Sequence, residues 1–210
     1  MQNNKQAVDE LMKGECYRFL AVCFYQPKKE TLGAEHFLPA LALNLRQVCP
    51  AAAPFARQME ESLAASTEEE LAVEYARLFV GPFGLKAPPY GSVYLDGDRT
   101  VMGPSTMETI QIYENEGLAR DEGFHELPDH IAVELEFMYY LSYRRVEALQ
   151  KGDLARGDAY LLKQEQFRTN FLGKWVPSFC DHIQKETDNG FYGALAECVD
   201  AFVRCTPASD

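Results

Sequence analysis

Pro128-Asp129-His130-Ile131-Ala132-Val133-Glu134-Leu135-Glu136-Phe137-Met138-Tyr139-Tyr140-Leu141 is the stretch on which the fold turns, and no breaker follows it until Gly152. Its apolar residues Ile131, Val133, Leu135, Phe137, Met138, Tyr139, Tyr140 and Leu141 cover every face of a helix instead of one stripe. This predicts a central helix from Pro128 to about Gln150, buried from several sides. Pro128 fits its first turn, where a missing N–H costs nothing. Glu134 and Glu136 are two positions apart, about 200° around the axis, so they cannot share a face. At least one must point inward, and a buried carboxylate needs a partner, most simply an Arg or Tyr on a neighbouring helix. The pair is also suited to recognising a cationic group.

Working outward, helical spacing recurs. Leu11, Cys16, Phe19, Leu20, Val22, Cys23 and Phe24 predict a helix from Gln6 to Tyr25, ended by Pro27. Shorter helices are expected over 34–48 and 54–65. Thr67 and Glu70 form a capping box, Leu71, Tyr75, Leu78 and Phe79 line the face behind it, and Gly81-Pro82 ends the helix. From Gly81 to Ser105 nine of 25 residues are Gly or Pro, which predicts a long non-helical loop. Phe83, Tyr90, Val93, Tyr94 and Val101 argue that it packs on the body. Ser105-x-x-Glu108 reads as a second capping box, opening a helix to about Asn115. Helices are expected at about 154–171, 175–186 and 191–204. No alternation persists long enough for a strand. The expected architecture is all-α, one helical bundle over residues 1–210 with a single long loop at 81–105.

The 210 residues carry a net charge of −12, which would repel a phosphate backbone and attract a cationic peptide. Nucleic acid is not an expected partner. The beginning of the chain lacks the basic and apolar regions of a secretory signal, and no segment approaches the roughly 18 consecutive apolar residues of a membrane span. Six cysteines without a C-x-x-C spacing fit reduced thiols and a cytoplasmic location.

Few residues carry chemistry. Asp129 and His130 at a helix start are explained by capping preferences alone, and alternatively form a polar pair that anchors a ligand or peptide backbone. Glu126, His130 and Glu134 stand at four-residue steps and offer a metal-dependent alternative. The doubled Glu-x-x-His of helical di-metal sites is absent, and His36, His125 and His182 do not supply it. There is no G-x-S-x-G, no P-loop and no cysteine in an active-site setting. Cys16 with Cys23, and Cys198 with Cys205, show core spacing, and Trp175 reads as a core anchor. Arg144-Arg145 lies in mid-helix and is no export signal.

The blocks Glu74–Pro82, Ala87–Tyr94, Glu126–His130 and Leu172–Phe179 together resemble the cytoplasmic TorD/DmsD-type chaperones, the redox enzyme maturation proteins that serve molybdoenzymes exported by the twin-arginine route. Glu74-Tyr75-Ala76-Arg77-Leu78-Phe79-Val80-Gly81-Pro82 is similar to that family's aromatic-x-x-Leu-Phe-x-Gly-Pro helix end. Ala87-Pro88-Pro89-Tyr90-Gly91-Ser92-Val93-Tyr94, with Gly103-Pro104-Ser105-Thr106 beyond it, is similar to its Pro-Pro-aromatic loop. Glu126-Leu127-Pro128-Asp129-His130 falls on its Asp-His signature, with Leu127 where some members have proline. Leu172-x-x-Trp175-x-Pro177-x-Phe179 resembles its late helix. Order and spacing agree over about residues 70–205.

The resemblance implies Tyr75, Phe79, Tyr90, Tyr94, Asp129 and His130 as signal-peptide-binding residues, with Gly81, Pro82, Pro88, Pro89 and Pro128 shaping the loop. It implies no catalytic residue, no metal and no cofactor of its own. The partner would be a molybdopterin oxidoreductase of the DMSO or TMAO reductase type, held as apoenzyme until its cofactor is inserted and proofread before export. The chain would not insert into the membrane and would be a monomer or a helix-swapped dimer. A helical binding module for another ligand, or the metal-dependent enzyme named above, are the alternatives.

Overall fold

The structure is a computed structural model that describes residues 2–34, 36–81, 84–97, 100–119, 121 and 123–205. Its described residues form eleven α-helices and no strand. In chain order these are α1 (Gln2–Cys23), α2 (Lys29–Leu32), α3 (Phe37–Val48), α4 (Ala53–Ala65), α5 (Glu68–Tyr75), α6 (Gly91–Leu95), α7 (Pro104–Asn115), α8 (Ile131–Gln150), α9 (Leu154–Phe167), α10 (Gly173–Glu186) and α11 (Gly190–Arg204). Helix pairs form a closed series: α8 lies on α1, α1 on α3, α3 on α4, α4 on α11, α11 on α10, and α9 returns to α8. Inside the series sit Leu20, Phe24, Leu71, Phe79, Leu135, Met138, Trp175, Phe179 and Tyr192, all at most 4% exposed. The all-α architecture expected from the sequence is the observed one.

Local chemistry accounts for several boundaries. The Thr67 hydroxyl accepts from the Glu70 N–H at 3.1 Å and the Glu70 carboxylate from the Thr67 N–H at 2.7 Å, so the capping box forms as read. After Tyr75 the backbone widens into a π-helical turn over Ala76–Val80, and the Gly81 N–H donates back to the Ala76 carbonyl at 2.8 Å. Gly81 takes φ 62°, where a Cβ would lie 2.7 Å from the Leu85 nitrogen, so only glycine ends the turn this way. Pro82 lies outside the described residues. A second π turn, Arg168–Leu172, joins α9 directly to α10, so the helical backbone runs from Leu154 to Glu186 where a break was expected between 171 and 175. Trp175 therefore stands within α10 and does not open it.

Three further expectations are corrected. The 81–105 segment is not wholly loop, because Gly91–Leu95 forms α6. Ser105 does not cap α7: its N–H and hydroxyl both donate to the Asp96 carboxylate, and α7 starts at Pro104. The central helix starts at Ile131, so Pro128 and Asp129 form a turn before it and are not in its first turn. The buried cysteines are free and packed in the core, and burial raises the thiol pKa of Cys16, Cys23 and Cys198. No helix among the described residues is long and apolar enough to cross a membrane.

Candidate functional site

The conformation of the 84–95 segment is fixed by α8. The Gly91 N–H donates to the Asp129 carbonyl and the Ile131 N–H to the Pro89 carbonyl, each at 2.8 Å, making an antiparallel bridge between Tyr90 and His130. The Asp129 carboxylate then accepts from the Ser92 N–H at 2.8 Å, in the first turn of α6. Asp129 thus caps α6, 37 residues away in sequence, and not the helix that follows it. That cap explains why five residues hold a helix inside a Gly/Pro-rich segment. Pro88 and Pro89 are buried against this junction, and the Pro128 carbonyl accepts from the Tyr113 hydroxyl at 3.1 Å.

His130 is the N-cap of α8, its Nδ1 accepting from the Ala132 N–H at 3.2 Å. A neutral ring accepting at Nδ1 carries its proton on Nε2, which faces Glu126 at 3.9 Å. Tyr25 stacks on the ring at 6.2 Å between centroids and Tyr90 meets it edge-on at 5.4 Å. Enclosed so, His130 has its pKa lowered to about 4 by burial.

Beneath the bridge, Glu134 is fully buried and accepts from the Trp175 indole N–H at 2.9 Å. That at least one of Glu134 and Glu136 points inward was expected; the partner is a tryptophan where an Arg or Tyr was anticipated. Burial raises its carboxyl pKa well above the ordinary value. Gly91 packs directly on this pair, since a Cβ there would lie 3.2 Å from the indole nitrogen and 3.3 Å from the Glu134 Oε1. Tyr94 stacks on Trp175 at 5.6 Å. Glu136, on the other side of α8, is exposed and accepts from the Tyr25 hydroxyl at 3.0 Å.

The residues singled out in the sequence thus divide. Tyr90, Tyr94, Asp129 and His130 gather at the junction of α6 and α8. Tyr75 and Phe79 sit in the core beneath, the Tyr75 hydroxyl donating to the Phe24 carbonyl and the Phe79 ring meeting Phe24, Phe179 and Tyr192. Asp129, His130 and Phe79 are only 1%, 2% and 4% exposed. Glu126, His130 and Glu134 do not converge, because Glu134 turns to Trp175 while Glu126 stays at the surface side of His130. Among the described residues no group of three or more His, Cys, Asp or Glu is placed to hold a metal ion.

Beside the junction lies a cleft of about 570 Å³ between α7, the connection after it and α8. Ile110 and Tyr113 line one wall, Val133, Phe137 and Tyr140 the other, with Leu118 and Phe124 between them. Glu114, Asp121, Glu126 and Glu136 add carboxylates to its lining. A smaller cleft of about 280 Å³, with Ile112, Phe137 and Phe171, lies on the opposite face of α7. Apart from Glu126, Glu136 and Pro128, the sequence reading singled out none of the larger cleft's residues as site candidates. The available signal was the excess of apolar residues on α8, which does not say which face stays open.

The sequence profile described as nitrate reductase delta subunit matches residues 40–181. The chain is 31% identical over 139 residues to the chaperone protein TorD of Photobacterium profundum, covering 66% of this chain and only 63% of that relative. TorD of Salmonella arizonae is 28% identical over 197 residues, 90% of this chain and 86% of the relative. A protein of Haemophilus influenzae named a probable Tat proofreading chaperone, DmsD, is 30% identical over 129 residues, 61% of this chain and 56% of its own length. A solved redox enzyme maturation protein from Archaeoglobus fulgidus has the same fold, with a TM-score of 0.54 at 22% identity over 88% of this chain and 90% of that one. With this profile match over more than half of its length, the chain belongs to the nitrate reductase delta subunit family, the family of the TorD and DmsD chaperones.

Proposed function

We propose that the protein is a cytoplasmic chaperone that binds the twin-arginine signal peptide and the apo form of a molybdopterin oxidoreductase, supports cofactor insertion and delays export until it is complete. The observation that carries this reading is the apolar cleft with carboxylates in its lining, set against the junction where the family's sequence blocks meet. A twin-arginine leader joins a cationic end to an apolar, helix-capable middle, and a receptor for it needs an apolar groove with acidic surface beside it. The net charge of −12 favours the encounter. The buried, hydrogen-bonded state of Asp129, His130 and Glu134 suits a structural frame better than a reacting centre.

The test is calorimetric titration of the full chain with synthetic twin-arginine leaders encoded in the same genome. Binding of one leader, weakened when its two arginines are replaced by glutamine, is the expected result. Correctly folded protein that binds none of the leaders would refute the signal-peptide reading.

A further inference from the structure

We propose that the apolar segment of the leader docks as one face of a helix in the cleft between α7 and α8, its cationic end at Glu126 and Glu136, while Tyr75, Phe79, Asp129 and His130 frame the cleft without touching the peptide. This rests on the chaperone reading above and assigns the contact surface within it.

Accessibility is the first argument. Asp129, His130 and Phe79 offer almost no surface, and one Asp129 carboxylate oxygen and the His130 Nδ1 are already engaged by Ser92 and Ala132. To reach them a peptide would have to break the Tyr90–His130 bridge. The cleft presents partly buried apolar side chains that keep some open surface, from Ile110 and Tyr113 on one wall and Val133 and Tyr140 on the other.

The second argument is how α7 is held. It packs chiefly on α6, and meets the body through a few side chains, among them the Tyr113 ring on Phe137 at 4.6 Å and on Phe167 at 6.3 Å, the Tyr113 hydroxyl on the Pro128 carbonyl and, at its C-cap, Glu116, whose carbonyl accepts from the Tyr140 hydroxyl at 3.3 Å and whose carboxylate pairs with Lys163. The apolar stripe of α8 beneath it is therefore only partly covered. At about 570 Å³ the cleft is within the roughly 300–1,000 Å³ of ordinary ligand sites. That admits a few large side chains at helical spacing, not a whole helix.

Charge fixes the occupant and its direction. Among the described residues lining the cleft none is basic, while four are carboxylates. Among the described residues Glu136 holds the Tyr25 hydroxyl alone, and Glu126 faces a neutral imidazole at 3.9 Å, so both have capacity to accept from a guanidinium. At the other end of the cleft Arg144 donates to the Tyr140 hydroxyl at 3.1 Å. A peptide with one cationic end is thus drawn to the Glu126/Glu136 end and turned away from Arg144.

The experiment titrates synthetic leader into the full-length protein and into variants. Val133→Asp puts a charge on the apolar wall, and Val73→Asp, at a position 61% exposed on α5, is its control. Glu136→Arg reverses an exposed rim charge and serves if Val133→Asp proves unstable by circular dichroism. Val133→Asp and Glu136→Arg are each expected to weaken binding about tenfold or more, as for central contacts of an interface. Val73→Asp should leave it within about twofold, and bound leader should protect amides in 107–119 and 124–140 from exchange. If the unaltered protein binds leader but both variants bind it equally well, or protection maps to 84–95, the docking assignment is wrong while the chaperone reading stands. If the variants instead abolish a dimer seen by light scattering and leave leader binding intact, a second copy occupies the cleft and the assignment is likewise overturned. If the unaltered protein binds no leader, both readings fail.

Discussion

Acidification should loosen the junction through His130, and the size of the effect follows from its surroundings. Only 2% exposed, the ring accepts the Ala132 N–H at Nδ1. Protonation would turn that acceptor into a donor facing another donor, and would place a positive charge at the positive end of α8. Of the groups around it, Tyr25 and Tyr90 contribute neutral rings, Asp129 is hydrogen-bonded to Ser92, and the Glu126 carboxylate at 3.9 Å is too distant for a hydrogen bond. Burial dominates and brings the pKa from 6.5 to about 4. Between these values the unfolded chain binds a proton that the folded chain does not, so stability falls as the pH falls through this window. The full difference corresponds to about 3 kcal/mol, of which about 2 kcal/mol is lost between pH 7 and pH 5. Glu134 has the opposite sign: its raised pKa means that the folded chain keeps a proton the unfolded chain releases as pH rises above 4.5. The assay therefore compares the protein with His130→Asn, which keeps a capping side chain but cannot titrate. Urea unfolding followed by far-ultraviolet circular dichroism at pH 7 and pH 5 should show about 2 kcal/mol more acid loss in the unaltered protein. Equal losses in the two would refute the reasoning.

Two further substitutions test the same junction. Glu134→Gln keeps an acceptor for the Trp175 N–H and removes the titration, so it should cost under about 1 kcal/mol at pH 7 and abolish the decline in stability from Glu134 at higher pH. Trp175→Phe leaves the carboxyl buried without that donor and should cost about 1–3 kcal/mol for the unsatisfied group alone, measured by the same unfolding assay. Asp129→Ala removes the acceptor for Ser92 and should cost about 1 kcal/mol, with faster amide exchange at Ser92 and through Gly91–Leu95 while α8 stays protected.

What the sequence disclosed, and what it withheld, follows the range of the interaction in each case. The Thr67/Glu70 box is contained in one turn, and the buried character of α8 is written along a single helix, so both were readable. The start of α6 was not, because its cap comes from Asp129, and the start of α7 was misread because its cap comes from Asp96 at the end of α6. The start of α8 moved to Ile131 for a related reason: the backbone around it is committed to the bridge with Pro89 and Gly91. The family's blocks were legible one by one, but not that those at Tyr90–Tyr94, Asp129-His130 and Trp175 meet within one junction.

The two carboxylates of α8 show how far such reading reaches. Their separation of about 200° already required that they part, and they do: Glu134 turns in to Trp175 and Glu136 turns out to Tyr25. Which residues accompany Glu136 could not be read, because a helix apolar on every face does not announce which face its neighbours leave uncovered. The structure decides it by holding α7 off α8 on the Tyr113–Phe137 contact. The stripe left open is then Val133, Glu136 and Tyr140, spaced i, i+3 and i+7, with the buried Phe137 as its floor, an apolar surface with one carboxylate set into it. On the docking proposed above, an amphipathic segment with a cationic end would match that stripe in period as well as in charge, and the surface it would use is one that the recognisable motifs support from beneath.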